Sequence, residues 1–209
     1  MACASSPDGY SLIVGRAPRA AGIIGSPHSG FVSVLLTANI TVSVQVFEEF
    51  AGRVEGQWVA SVARSALGAG CGEPGPLSIV IADDGTLSQL NQAYRGLEGT
   101  TDVLSFSPSL AGKHYGSAEH VSSHGEVDAF VLPPSEQAGL GELIISYAQA
   151  ERQARAAGHT VRTELALLLA HGILHLLGYD HENDAEGEKM REWESKLMGR
   201  FEAAGLLGG

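Results

Sequence analysis

Residues 161–181, VRTELALLLAHGILHLLGYDH, decide how the chain is organised. Apolar residues cover nearly the whole circumference of the helical part, which predicts a largely buried helix. His171 and His175 are four residues apart, so their rings project from one face of this helix, about 6 Å apart along its axis. Gly178 ends the helix and lets the chain turn, so that His181 can return towards the other two histidines. The stretch therefore predicts a metal site with three imidazole ligands.

The predicted ligand set indicates which chemistry the metal serves. Three neutral imidazoles leave one coordination position open, which is typical of catalytic and not of closed structural sites. Zinc is the expected ion, although other divalent transition metals such as nickel, cobalt, copper and iron also accept imidazole. The spacing matches the zinc-protease pattern HExxHxxGxxH, but Gly172 stands where those proteases have a catalytic glutamate. Because glycine cannot act as a general base, a peptidase of the familiar kind is not expected.

The segments around this helix predict a mixture of strands and helices. Strand patterns lie in four segments, at residues 38–47, 76–83, 101–108 and 142–146. Helical spacing predicts four to five helices, one of which has Leu87, Leu90 and Tyr94 on one side. We expect a single α+β domain in which a mixed four-stranded sheet is packed by these helices, with the metal site on a buried helix and the loop after it.

The sequence also predicts the first residues of two helices and one long loop. Thr160 is expected to cap the histidine helix and Asp184 the last helix. Apolar residues recur at helical spacing in that last helix, at Met190, Trp193, Leu197 and Phe201. Residues 109–139 lack a convincing period and predict a long surface loop with a hairpin near EVDAFVLP. The loop histidines lack ligand spacing and are expected to be exposed: His114, His120 and His124.

The N-terminal part of the chain differs in composition from the rest. Residues 1–37 are rich in Ser, Gly and Ala without a sustained period, which fits a disordered extension, a mis-chosen start codon or an organellar transit peptide. The folded domain is expected to span residues 38–209. No stretch approaches the roughly 18 consecutive apolar residues of a membrane span, and the two distant cysteines imply no disulfide framework. We expect a cytoplasmic protein, or a chloroplast or mitochondrial one if residues 1–37 are a transit peptide.

The charge of the chain limits its partners. A formal net charge of -11 argues against an extended basic face of the kind that binds DNA through many phosphate contacts. The basic residues that remain as candidate RNA contacts are Arg95, Arg152, Arg155 and Arg162. Arg152 and Arg155 lie three residues apart on one predicted helix and are expected to form a small phosphate-binding patch for single-stranded RNA. A solvated helix face explains them equally well.

Three segments of the sequence together resemble a known family. The histidine stretch, LNQAYRGLEGTTDVLSFSP (90–108) and GELIIS (141–146) are similar to motifs of the YbeY family of metal-dependent endoribonucleases. The resemblance covers about residues 38–204. It departs at Glu142, where the family usually has aspartate, and in the stretch between Pro108 and Gly141, which is longer than expected. The family acts in ribosomal RNA maturation and ribosome quality control.

The resemblance implies both a function and a set of site residues. The implied function is a single-strand-specific endoribonuclease that matures the 3′ end of 16S rRNA, with an rRNA precursor and the small ribosomal subunit as partners. One zinc ion is implied at His171, His175 and His181, and a functionally important arginine at Arg95. Two other functions stay open: a metal-dependent hydrolase of another substrate, such as a peptidase with an unusual base, and a non-catalytic ribosome-assembly factor with a structural metal.

Elementary chemistry assigns roles to the residues of this site. The metal is expected to activate water or to polarise the phosphate, and the planar guanidinium of Arg95 matches two phosphate oxygens. Asp180 is expected to orient an imidazole or, as the alternative, to act as general base. Glu182 begins an acidic run that fits a solvated helix face. The missing side chain at Gly172 is expected to leave space beside the metal for a phosphodiester.

Overall fold

The computed structural model describes residues 40–68, 75–107, 139–179 and 183–208, and gives the backbone of residues 11–14 and 33–37. Within these residues the strands are β1 (Ser11–Val14), β2 (Ser33–Thr37), β3 (Ile40–Val46), β4 (Leu77–Ala82), β5 (Val103–Ser107) and β6 (Gly141–Ser146). The helices are α1 (Gly56–Leu67), α2 (Asp84–Arg95), α3 (Tyr147–Ala157), α4 (Val161–Leu176) and α5 (Asp184–Ala203), with a 3-10 turn at Glu48–Phe50.

The strands form one mixed sheet in the order β1-β5-β6-β4-β3-β2. Strand β4 runs parallel to β3 and β6, whereas β5 pairs antiparallel with β6. The α+β class and the mixed sheet are thus confirmed, and the four predicted strands form its continuous centre. The predicted surface loop at residues 109–139, with its hairpin and histidines, lies outside the described residues except for Gly139.

Two further strands lie within the predicted N-terminal extension. Strand β1 pairs parallel with β5 at one edge, and β2 pairs antiparallel with β3 at the other. Both are short and hold to the sheet through backbone hydrogen bonds, and neither has the period-two alternation by which strands are predicted. The rest of residues 1–37 lies outside the described part of the chain, and the transit peptide stays a prediction.

Each face of the sheet carries its own hydrophobic core. Alternate residues of the strands point to opposite faces, so Leu143 packs with α1, α4 and α5, whereas Ile144 packs beneath α2. The smaller core under α2 contains Val80, Ala82, Leu87, Leu90, Leu104, Phe106 and Ile144. Helices α2 and α4 therefore lie on opposite faces of the same strands.

Helix α4 is the most buried helix of the described chain. Every residue from Leu168 to Leu176 is buried, which confirms the predicted buried histidine helix. The Thr160 hydroxyl accepts a hydrogen bond from the Thr163 amide and caps the helix as predicted. At α5 the predicted cap was wrong by one residue, because the side chain of Asn183, and not that of Asp184, accepts from the Glu186 amide. In the described residues, no helix combines the length and the apolar character needed to cross a membrane.

A glycine allows α4 to approach the sheet closely. A Cβ added to Gly172 would lie 2.7 Å from Leu143 Cδ2 and 3.2 Å from Ser105 Oγ. Both residues are fully buried, so neither has open space into which to move. The position of the histidine helix on β5 and β6 therefore depends on the absence of a side chain at Gly172.

Replacing this glycine tests the packing. We expect Gly172→Ala to lower the free energy of unfolding by about 1–3 kcal/mol, because the added methyl group overpacks a filled core. Gly199→Ala is the matched control, since Gly199 lies inside α5 and no atom of the described residues is within 4 Å of an added Cβ. That substitution should stabilise the protein by up to about 1 kcal/mol through helix propensity. Urea denaturation of both variants measures the difference, and equal effects at the two sites would contradict the packing account.

Candidate functional site

Two of the three predicted ligands meet at the buried end of α4. His171 and His175 have their ring centroids 4.5 Å apart with the ring planes at 80°. Their Nε2 atoms lie 2.9 Å from each other, and both residues are almost fully buried. The helical spacing of four residues therefore converges two ring nitrogens on one point, as the sequence predicts.

The outer nitrogen of each ring is hydrogen-bonded to an acceptor. His171 Nδ1 lies 2.6 Å from Glu194 Oε1, and His175 Nδ1 lies 3.0 Å from the carbonyl oxygen of Tyr179. A carbonyl or a carboxylate can only accept, so each Nδ1 carries the proton and each neutral ring presents an unprotonated Nε2. Two such lone pairs at 2.9 Å repel each other unless a cation or a proton lies between them. The donor set thus fits a metal bound by imidazole.

Sequence reasoning missed Glu194. The nearest carboxylate in sequence, Asp180, was predicted to orient an imidazole, whereas the one found on His171 comes from α5, 23 residues away. Glu194 lies between Met190 and Leu197 on the stripe of α5 that packs against α4. A charged residue inside an apolar stripe was the available signal, because such a position needs a buried partner.

The remaining residues of the motif lie outside the described chain. These are Asp180, His181 and Glu182, so the third ligand and the two carboxylates beside it stay predictions. In the described residues taken alone, no group of three or more His, Cys, Asp or Glu side chains could hold a metal ion. His171 and His175 supply two of the three predicted nitrogens.

The space at Gly172 is not the open space expected from the sequence. The glycine faces the sheet, where Leu143 and the Ser105 hydroxyl occupy the volume that a side chain would take. The Oγ atoms of Ser105 and Ser107, both in β5, are buried, and neither has a hydrogen-bond partner among the described residues. The structure thus explains Gly172 by helix packing, and gives no support to a substrate cavity at that position.

Arg95 lies across the sheet from the histidines. It is the last residue of α2, and its Nη1 donates to Asn91 Oδ1 at 3.1 Å. Partial burial lowers the pKa of Arg95, but a guanidinium stays charged at neutral pH. Both sites lie at one end of the sheet, because Tyr94 packs on Phe106, which pairs with Glu142 at the start of β6. A Cβ added to the neighbouring Gly141 would meet Leu176 at the end of α4. The structure therefore brings Arg95 to the same sheet end as the histidines but not to the same face.

The other arginines are placed away from the histidines. Arg152 forms an ion pair of 2.8 Å with Asp84, which also accepts from Ser146 at the far end of β6. That end is separated from Gly141 by the length of β6, about 17 Å. Arg155 is exposed in the last turn of the same helix, α3. The structure thus separates the predicted Arg152 and Arg155 patch from the histidine pair.

Arg162 binds the C-terminal segment to the rest of the domain. Its guanidinium carbon lies 4.6 Å from the ring centroid of Trp58, and its Nε donates to the Leu206 carbonyl at 2.9 Å. Trp58 Nε1 donates to the same carbonyl oxygen at 2.8 Å. These contacts hold the chain after α5 against α1, and they explain Arg162 without any RNA contact.

A half-buried carboxylate, that of Glu142, lies near Tyr94, the residue before Arg95. Glu142, in β6, accepts a hydrogen bond from the Ser78 hydroxyl at 3.5 Å. Burial raises the pKa of Glu142 to about 7, and its negative charge adds to the burial that raises the pKa of Tyr94. Glu142 and Tyr94 therefore lie on the α2 face of the sheet, at the same end as the histidines.

The part of the chain that contains the sheet and the histidine helix is similar to proteins of one known family. The model of the family described as Endoribonuclease YbeY matches residues 40–202. An Endoribonuclease YbeY of Dehalococcoides mccartyi strain CBDB1 is 40% identical over 166 residues, which are 79% of this chain and 95% of the relative. An Endoribonuclease YbeY of Roseiflexus castenholzii is 37% identical over 164 residues, 78% of this chain and 93% of the relative. A solution structure of TM1509 from Thermotoga maritima shares 16% identity and a TM-score of 0.39 over 95% of this chain and 97% of that one.

The buried carboxyl of Glu142 makes stability depend on pH. Because its pKa rises from 4.5 to about 7 on folding, the folded state holds the proton over a range where the unfolded state has lost it. Stability therefore falls as the pH rises through this range. We expect Glu142→Gln to be more stable than the parent protein at pH 8, and this difference should exceed the difference at pH 5 by on the order of 1–3 kcal/mol.

Urea unfolding of the parent and the variant at both pH values measures this gain. Glu188→Gln, on the exposed side of α5, is the matched control and should follow the parent at both values. A Glu142→Gln variant whose stability parallels the parent across the range would show that this carboxyl is ionised in the folded protein.

Proposed function

The chain belongs to the YbeY family of endoribonucleases, and on this basis we propose that it is a metal-dependent, single-strand-specific endoribonuclease in ribosomal RNA maturation. The relatives' name describes RNA cleavage, and it supports an RNA-cleaving hydrolase here. The proposed substrate is an rRNA precursor, cleaved at the 3′ end of 16S rRNA, with a further role in ribosome quality control on the small subunit. The observation that carries metal dependence is the convergence of His171 and His175 Nε2 atoms at 2.9 Å.

We infer that zinc is held by His171, His175 and His181. The chain supplies the first two as neutral rings, because the Glu194 carboxylate and the Tyr179 carbonyl each accept the outer N–H. These acceptors also fix the orientation of the two rings, so little ordering remains when the ion binds. When bound, the ion supplies Lewis-acid charge that stabilises the transition state of phosphodiester hydrolysis.

Other residues of the chain position the metal ligands or are candidates for the general base. Glu194 hydrogen-bonds to His171 and acts as a positioning residue, since its carboxylate increases the basicity of the ring. Gly172 offers no base, so the chain lacks the glutamate that accepts a proton in peptidases with this pattern. The candidates for the general base are Asp180 and Glu182, which precede and follow the proposed third ligand in sequence.

Arg95 fits a role in binding the RNA backbone. Arg95 lies on the α2 face of the sheet, whereas the histidines lie on the α4 face. An RNA strand that contacts both Arg95 and the histidines must therefore pass around the end of the sheet. The guanidinium holds a phosphate at some distance from the reacting one. This placement favours substrate positioning over direct stabilisation of charge at the scissile phosphate.

The positioning role of Glu194 is tested by its amide. We expect Glu194→Gln to weaken zinc affinity by about 10- to 100-fold, because the neutral amide no longer increases the basicity of His171. Glu192→Gln, on an exposed carboxyl two residues earlier, is the matched control and should leave the affinity unchanged. Competition with a chelating dye measures both constants. Equal affinity in the two variants would show that Glu194 does not support a ligand.

Cleavage itself is tested on two substrates. We expect metal-loaded protein to cut labelled single-stranded RNA and to leave an unstructured protein intact. His175→Ala should lose both bound zinc and RNA cleavage, while His159→Ala, a histidine of the loop before α4 that pairs with Glu164, should keep both. Metal analysis and gel assays on all three proteins give the result.

Each alternative function has its own outcome in this assay. Cleavage of the unstructured protein but not of RNA would favour the hydrolase of another substrate. Wild-type protein that cuts no RNA but co-sediments with small ribosomal subunits would favour the assembly factor. If His175→Ala kept both zinc and cleavage, the ligand assignment would be wrong.

A further inference from the structure

The turn after α2 exposes apolar side chains next to an arginine. Tyr94 is 38% exposed and Leu97 is 48% exposed, and they are the large hydrophobic residues with the greatest exposure in the described chain. The sequence predicts Tyr94 on one side of α2 together with Leu87 and Leu90. The structure buries those two leucines but leaves much of the Tyr94 ring in solvent.

Contacts below this turn hold it in place. The Tyr94 ring packs against Phe106 in a T-shaped arrangement with centroids 5.3 Å apart. Asn91, which is buried, accepts from Arg95 and donates from Nδ2 to the Gly99 carbonyl at 3.0 Å. Gly96, with φ of 66°, makes the left-handed turn between α2 and this loop. Since the groups are already ordered, a ligand that binds them loses little conformational entropy there.

The charge of Arg95 is available to a ligand. Its hydrogen-bond partner is the neutral side chain of Asn91, and no carboxylate of the described residues lies within ion-pair distance of it. An aromatic face beside a guanidinium that no described carboxylate pairs matches the two chemical features of single-stranded RNA, a flat base and a phosphate.

We propose that Tyr94, Arg95 and Leu97 form a stacking surface for one base of a single-stranded RNA whose cleaved phosphate lies at the histidines. The base stacks on Tyr94 with Leu97 beside it, and the adjoining phosphate pairs with Arg95. Phe106 lies between this surface and the end of the histidine helix, because its ring supports Tyr94 and a Cβ added to Gly141 would meet both the Phe106 carbonyl and Leu176. The surface rests on the proposed function for its substrate class.

The net charge of the chain favours stacking as the source of affinity. A net charge of -11 offers RNA no overall long-range attraction, so affinity depends on contacts at short range. A base stacked on an aromatic ring contributes without net charge and tolerates any sequence. A second copy of the chain is a poorer occupant, because it also carries a net charge of -11 and the two copies repel each other.

The test follows one base on the surface. Short 2′-O-methyl oligoribonucleotides, each with 2-aminopurine at a different position, are bound to the metal-loaded protein, and quenching of the probe reports stacking. We expect one position, a few nucleotides from the cleaved bond, to be quenched. Tyr94→Phe and Tyr94→Trp should retain the quenching, whereas Tyr94→Leu, which still covers Phe106, should lose it and weaken binding about 5- to 100-fold.

Cleavage kinetics and salt dependence separate binding from a structural role. We expect Tyr94→Leu to raise KM by a similar factor while kcat at saturating RNA stays within about 3-fold. Leu97→Gln, in an exposed loop where folding is not at risk, should weaken binding about 5-fold. Arg95→Gln should lower the slope of log affinity against log salt by about 0.7, and the exposed control Arg200→Gln should not.

The outcomes distinguish this inference from the function on which it rests. Wild-type protein that cleaves RNA while Tyr94→Leu keeps its quenching and KM overturns the surface and leaves the nuclease standing. Quenching that depends on Tyr94 in a protein that cuts no RNA supports the surface without the nuclease. If Tyr94→Leu and Leu97→Gln instead converted an RNA-free dimer to a monomer with RNA binding unchanged, the surface would be a contact between copies, and the proposal would fail.

Discussion

The position of the candidate site depends on the close approach of α4 to strands β5 and β6. At Gly172 the helix backbone comes so near the sheet that Leu143 and Ser105 fill the place of a side chain. The neighbouring residues, His171 and His175, are thereby carried into the core and held at one end of the sheet. A larger residue at the glycine would push the helix, and with it both rings, away from the sheet. Helix packing and site geometry therefore depend on the same contact.

Orientation of the two imidazoles connects that packing to chemistry. The acceptor on His175 is the Tyr179 carbonyl from the turn that ends α4, and the acceptor on His171 is Glu194 from α5. One is local in sequence and the other is not, yet both impose the same tautomer and leave Nε2 for a cation. The protease pattern supplies a base through the residue after its first histidine, whereas this chain uses that position for packing. Its catalytic base must therefore come from elsewhere.

In so acidic a protein, the proposed binding of RNA depends on short-range contacts. Arg152 is neutralised by Asp84, and Arg162 is engaged by Trp58 and the Leu206 carbonyl. Arg95 differs from both, because a neutral amide holds it beside an exposed ring. A single-stranded polymer is flexible enough to pass around the end of the sheet from one face to the other, which a rigid duplex is not. The separation of Arg95 from the histidines is thus compatible with a single-stranded substrate.

The sequence alone determined the buried histidine helix, its cap at Thr160 and the four central strands, because periodicity and capping are local properties of the chain. It also determined that His171 and His175 share one face, since that follows from the helical repeat. Only the tertiary structure decided that Glu194 orients His171, that Gly172 serves packing and that Arg95 lies on the opposite face. These are contacts between elements distant in sequence, and local patterns carry no information about which of them meet. Edge strands β1 and β2 escaped prediction for the same reason, because their pairing is made by backbone groups that every residue possesses.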